Sequence, residues 1–293
     1  MMRLDLDKGL LNSILAVAAL VEARDPYTGG HLWRVAQFSR MLGEKAGLSN
    51  GEVFQVSLGG YLHDLGKVGV PDEILNKPGR LTAEEYAVIK THPQVGQRAM
   101  APHPMAPLAM DHILSHHERP DGKGYPHNLE GEQVPYQARI VGIADAFDAM
   151  TSTRPYRTGM AIEKALAIIE AGKGTQFDAA LADDFLNLGK AGALAHIVGH
   201  SSEGMALAEC PVCGPILALS PDTQDGDKIY CTSCTGELQV HRNATRFETA
   251  PTGQLGDAQA MIPMIETASM REILDAVPGH IHLPDESPYN GVG

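Results

Sequence analysis

The chain has 293 residues, 43% hydrophobic and 20% charged, the proportions of a globular protein with room for one large domain and a small one. Its net charge of −13 leaves no basic field to hold nucleic acid or an anionic membrane, and 5% aromatic content advertises no base-stacking platform. An anionic substrate would need a local positive site, which bound metals can supply.

Leu11, Ile14, Leu15, Ala18 and Val21 recur at helical spacing, so an amphipathic helix is expected over residues 8–24. The apolar stretch Leu10–Val21 is too short to span a bilayer and charged residues flank it. Neither a membrane span nor a secretory signal is read, and a cytoplasmic protein is expected. The run Asp25-Pro26-Tyr27-Thr28-Gly29-Gly30 breaks this helix. His31 opens the next, with Val35, Phe38, Met41 and Leu42 on its buried side. Further helices are predicted over 51–65, 82–91, 94–101, 106–117, 136–151, 161–170 and 178–188. Residues 118–135, rich in Gly, Pro and charge, read as a loop. Strand signals are nearly absent over the first 190 residues, so this part is expected to be an all-α bundle. After about residue 200 the character changes. Short β-type runs at 216–219, 228–230 and 237–240 lie among four cysteines. One helix is predicted over 264–276, and the last dozen residues read as a tail. The expected division is 1–195 as a helical domain, 205–245 as a small β-rich domain and 246–293 as a C-terminal extension.

Seven histidines and aspartates carry the chemistry: His31, the pair His63-Asp64, His92, the doublet His116-His117, and Asp145. They fall at or near the ends of separate predicted helices. Imidazole and carboxylate suit a pair of divalent transition metals. Two metals held close together are a common device for splitting a phosphate ester. An adjacent carboxylate lets one residue bridge two metals while its neighbour binds one. Lys67, one turn after the pair, points the same way and can bind a phosphate oxygen or neutralise a leaving group.

The pattern resembles the HD-GYP family of bacterial cyclic dinucleotide phosphodiesterases, a branch of the HD phosphohydrolases. The matching runs are Asp25-Pro-Tyr-Thr-Gly-Gly-His31, His63-Asp-Leu-Gly-Lys67, Leu81-Thr82 with Glu84-Glu85, and Thr91-His-Pro93. They continue with His116-His-Glu-Arg-Pro-Asp-Gly-Lys-Gly-Tyr-Pro126, Ala138 to Ala149, Arg154-Pro-Tyr-Arg157 and Gln176-Phe-Asp178. The resemblance covers roughly residues 8–190. It implies that His31, His63, Asp64 and Asp145 bind one metal, and that Asp64 bridges to a second completed by His92, His116 and His117. It further implies that Lys67, Arg154 and Arg157 hold substrate phosphate, with Asp64 and Lys67 as the catalytic pair. Gly124-Tyr125-Pro126 would shape the loop beside the site.

Some members carry a glutamate four residues before the first histidine, where it helps bind a third metal. Tyr27 stands there in this chain, so two metals are expected, iron or manganese being favoured. A second departure is Ala179, where the family often has proline. The implied activity is hydrolysis of cyclic di-GMP to pGpG and onward to GMP by a metal-activated hydroxide, attacking phosphorus in line with the departing 3′ oxygen. The alternatives are another cyclic dinucleotide or a catalytically weak sensor that signals through a partner.

Cys210-x-x-Cys213 and Cys231-x-x-Cys234 are separated by 17 residues, the spacing of a zinc ribbon whose closed four-thiolate site is structural. The rivals are a redox dithiol or two disulfides, one within each pair. Lys228, Arg242 and Arg246 give this region few positive charges, so a nucleic-acid polymer is not an expected partner. A protein partner through the ribbon or the Gly-Tyr-Pro loop is expected, and a homodimer is left open. His196, His200, His280 and His282 read as ordinary polar residues.

Overall fold

In a computed structural model the chain is described over residues 2–25, 29–77, 79–153, 159–231, 233–243, 247–258, 260 and 268–283. Strand β1 (Met2–Asp5) leads into α1 (Lys8–Glu22), whose first N–H groups are capped by the Asp7 carboxylate. Helix α2 (His31–Lys45) is followed by α3 (Asn50–Leu62), opened by a reciprocal Ser49–Glu52 capping box. The short α4 (Asp72–Leu75) precedes α5 (Ala83–Ile89), opened by a Thr82–Glu85 box, and α6 (His92–Met100). Then come α7 (Met110–Ser115), α8 (Tyr136–Thr151), α9 (Ile162–Gly172) and α10 (Ala179–Lys190), the last capped by Asp178.

Two expected helices divide. The one predicted over 51–65 stops at Leu62, and Leu65–Gly69 continues as a 3-10 turn. The cause is a close approach: a Cβ on Gly66 would lie 1.8 Å from the His92 carbonyl oxygen, so the chain must leave the helical path where α6 crosses it. The helix predicted over 106–117 becomes a 3-10 turn, Ala106–Leu108, and then α7, because Ala109 adopts φ −131°.

The helices share two apolar cores. One joins Leu11 and Leu15 of α1 to Leu58 and Leu62 of α3. The other is built on Phe38, Phe147 and Phe185, with Phe147 edge-on to both partners at 5.1 and 5.0 Å between ring centres.

The cysteine region forms two three-stranded antiparallel sheets. One holds β2 (His200–Ser202), β3 (Met205–Glu209) and β4 (Ile216–Ala218). The other holds β5 (Lys228–Tyr230), β6 (Gly236–Arg242) and β7 (Phe247–Leu255). The second sheet runs past residue 245, the boundary expected from sequence. Helix α11 (Ala268–Asp275) and β8 (His280–Leu283) then return to the helical body. β8 pairs antiparallel with β1, from Met2 opposite Leu283 to Asp5 opposite His280, so part of the segment read as a tail is a strand. Ile273 and Ile281 are buried in the core around Leu11. Among the described residues no helix is long and apolar enough to cross a membrane.

Candidate metal centre

The fold converts helix ends into a cluster. His31 is the first residue of α2, after Gly30 in the left-handed region at φ 75°. His63 ends α3 and Asp64 follows it. His92 opens α6, His116 ends α7 with His117 next, and Asp145 projects from the middle of α8. All seven converge, although they come from five helices.

The two oxygens of Asp64 face different histidines. Oδ2 lies 3.3 Å from His31 Nε2 and 3.3 Å from His63 Nε2, while Oδ1 lies 3.4 Å from His92 Nε2. Asp145 Oδ1 closes the first group at 3.5 Å from His31 Nε2 and 3.8 Å from His63 Nε2. In the second group the ligand atoms of His92, His116 and His117 lie within 4.8 Å of one another. A single carboxylate thus spans two histidine groups. Lys67 Nζ sits 2.6 Å from Asp64 Oδ2.

The outer nitrogens of four imidazoles are tied down. His63 Nδ1 meets the Gly60 carbonyl at 2.7 Å, His92 Nδ1 the Ile89 carbonyl at 2.8 Å, and His116 Nδ1 the His112 carbonyl at 3.0 Å. His31 Nδ1 meets Asp148 Oδ2 at 2.7 Å. Carbonyls and carboxylates only accept, so each Nδ1 carries the proton and donates. Each Nε2 is left facing inward, the tautomer a metal ligand needs. Burial, with the neighbouring histidines adding to it, pushes His116 and His117 down, His117 to about 3, and burial likewise lowers His92, so these three are neutral near pH 7. The Nε2 lone pairs of His92 and His116 then face each other at 3.2 Å with no hydrogen between them. That contact is repulsive unless a cation lies among the lone pairs, which is a chemical fit for a metal.

His31 behaves differently. Burial pulls it down, but the bonds to Asp148 and Asp64 outweigh this and raise it to about 9. Asp64 is held well below the carboxylate range by Lys67 and His63 against the opposing effect of burial. The carboxylates therefore demand positive charge at this end, and a proton on His31 Nε2 competes with a metal for one position.

An HD domain profile matches residues 16–181. The chain belongs to the HD domain family. In its Gly124-Tyr125-Pro126 run the chain resembles the HD-GYP type. It is 38% identical over 189 residues to a cyclic di-GMP phosphodiesterase of Vibrio cholerae, covering 59% of this chain and 38% of that one. It is 40% identical over 173 residues to a cyclic di-GMP phosphodiesterase of Thermotoga maritima, covering 58% and 47%. A 3′3′-cGAMP-specific phosphodiesterase of Vibrio cholerae is 37% identical over 178 residues, covering 60% and 38%. The chain thus spans less than half the length of each of these relatives.

A cleft of about 690 Å³ in the HD domain reaches His116, His117 and Asp145. Gly124, Tyr125 and Pro126 line it, and the Tyr125 ring lies 4.7 Å from that of His117. The loop is fixed by the Glu118 carboxylate, which accepts from the His127 and Leu129 N–H groups at 2.6 and 3.0 Å. Arg154 and Arg157, expected to hold phosphate, lie outside the described residues, as does Tyr27.

Several residues of this HD domain site went unnoticed in the sequence. Lys90 and Lys123 line the cleft, with Lys90 Nζ 5.5 Å from the Tyr86 ring centre and 5.9 Å from that of Tyr125. Arg119 and Arg139 also line it, paired with Asp121 and Asp178. The signal was proximity in sequence: Lys90 stands just before His92, and Arg119 and Lys123 lie inside the run from His116 to Pro126. Asp148 and Arg34 were missed too. Asp148 lies on the same face of α8 as Asp145, one turn on.

The cysteines form a second centre. Cys210, Cys213, Cys231 and Cys234 are free thiols, so the expected rival of two disulfides is not formed. Their sulfurs lie 3.5 Å (Cys213–Cys231), 3.7 Å (Cys210–Cys213) and 3.8 Å (Cys210–Cys234) apart. The edge of a tetrahedron with metal–sulfur bonds of about 2.3 Å is roughly 3.8 Å. The set is compatible with a tetrahedral metal. His200 lies on β2 rather than one helical turn from His196, so the two do not form a helical pair.

Proposed function

We propose that this chain hydrolyses cyclic di-GMP to pGpG and onward to GMP at a two-metal HD centre. The observation that carries this reading is Asp64, whose two carboxylate oxygens face separate histidine groups. His31, His63, Asp64 and Asp145 would hold one divalent metal; Asp64, His92, His116 and His117 would hold the other. The donor set suits iron or manganese. Two bound metals would supply Lewis acidity and lower the pKa of water toward about 7. The chain's own residues do the rest. Lys67 neutralises Asp64 and stands where it can donate to a phosphate or leaving oxygen. Lys90 and Lys123 offset the charge of a dianionic ligand in the cleft, and Arg154 and Arg157 are proposed to add to this. Tyr125 and Pro126 shape the wall against which a base packs.

A second substrate, 3′3′-cGAMP, is favoured by the 37% identity to a phosphodiesterase named for it. A sensor that binds without turnover remains the rival from another class. The four cysteines are proposed to hold one structural zinc, which their sulfur spacing supports, in a ribbon that offers a surface to a protein partner. A cytoplasmic setting fits four reduced thiols.

The test is turnover of cyclic di-GMP and 3′3′-cGAMP by protein loaded anaerobically with Fe(II) or Mn(II), with products separated by chromatography. Asp64→Ala is expected to lose both metals and at least about 10³-fold in turnover. A variant with full metal content and normal turnover would overturn the assignment. Tight binding without product in the loaded wild type would favour the sensor.

A further inference from the structure

His31 is the ligand whose outer nitrogen meets a side chain rather than a backbone carbonyl among the four held this way. Its partner, Asp148, is fully buried and receives more than the imidazole. Arg34 Nε donates to Asp148 Oδ1 at 2.5 Å and Nη2 to Oδ2 at 3.1 Å, a bidentate pair. Ser152 Oγ lies 3.2 Å from Oδ2 and accepts from Arg34 Nη2 at 3.1 Å. The far nitrogen of the guanidinium, Nη1, donates to the Gly29 carbonyl at 2.9 Å and to the His200 carbonyl, on β2, at 2.8 Å. All five N–H groups of Arg34 are used, and both ends of the group are fixed.

The contact with β2 is built into the backbone. A Cβ on Gly30 would lie 2.4 Å from Ser201 Cα, so the first strand of the β region is seated on the turn that presents His31. We propose that Asp148 and Arg34 are positioning residues for His31, anchored at their far end by the carbonyl of His200 on β2, and that this chain of contacts sets the metal affinity of the His31 group and not of the His92 group. The inference rests on the two-metal reading above. The physical reason is orientation. A ring free to rotate about its Cβ–Cγ bond presents Nε2 to the metal only part of the time, and a carboxylate on Nδ1–H also makes the ring a stronger donor.

The experiment uses the full chain and Mn(II). Metal binding is followed by equilibrium dialysis and by the Mn(II) electron paramagnetic resonance signal, with zinc counted separately. The variants are Asp148→Asn, Arg34→Gln and the milder Ser152→Ala, which touches the relay without entering the core pair. One of two Mn(II) ions is expected to bind about 10- to 100-fold more weakly in the first two variants, and less so in Ser152→Ala, with the other ion unaffected and the zinc retained. Wild-type affinities for both ions in all the variants would overturn the proposal. So would an equal weakening of both ions, or a lowered melting temperature with unchanged metal binding, since either would make the group merely structural. A wild-type protein that takes up no Mn(II) would fail the two-metal reading itself.

Discussion

His112 sits one turn before His116 and is buried. Burial pushes it down to about 4, against the opposing effect of the Ala109 backbone. The unfolded chain takes up this proton near pH 6.5, the folded chain near 4. Between those values the unfolded state holds more protons, so stability falls as pH drops through the window. The full effect at or below pH 4 is roughly 3 kcal/mol. His117, lowered to about 3, acts in the same direction in metal-free protein. The informative quantity is therefore a difference: urea melts of metal-free wild type and His112→Leu are expected to diverge from pH 6.5 down to 4, with the variant less pH-sensitive. Parallel curves would show that His112 does not carry this share.

Helix ends make the site, and Gly66 is where two of them meet. Its Cβ position is filled by the His92 carbonyl at 1.8 Å, so Gly66→Ala must push α6 away from the turn that follows Asp64. The expected result is a loss on the order of tenfold in affinity for the metal proposed at the His92 group, read by Mn(II) titration, with the proposed His31 site less affected. The same contact explains what sequence could and could not reveal. Helix α8 was legible from 136 to 151 because Pro135 marks its start and nothing inside breaks it. The end of α3 was not, since residues 51–65 satisfy helical patterning and only the crossing of α6 stops them. The seven metal-ligand candidates were visible because imidazole and carboxylate carry their chemistry in their identity. Arg34 and Asp148 were invisible as a pair because ordinary charged residues acquire meaning only from what they touch. Strands β1 and β8 are four residues each and pair across nearly the whole chain, which local patterning cannot register.

Across the whole molecule, one carboxylate ties the return segment to the helical body. Glu272 on α11 accepts from the Trp33 indole at 2.7 Å, from the Gln37 amide at 3.0 Å, and from the Glu203 N–H at 3.3 Å, joining α11 to α2 and to the turn between β2 and β3. Glu272→Ala leaves the indole N–H without its acceptor and is expected to cost about 1–3 kcal/mol. The melting temperature should fall by several degrees, and an unchanged value would show that α11 is held by its apolar face alone.

The pairing of β1 with β8 has a consequence for a broken chain. The two sheets between β2 and β7 form an excursion that leaves the helical body and comes back to it. A protease cut in that excursion would yield two bands on a denaturing gel but one particle in native buffer. The ladder from Met2 to Asp5, with Ile273 and Ile281 in the core, would hold the pieces together until denaturant parted them.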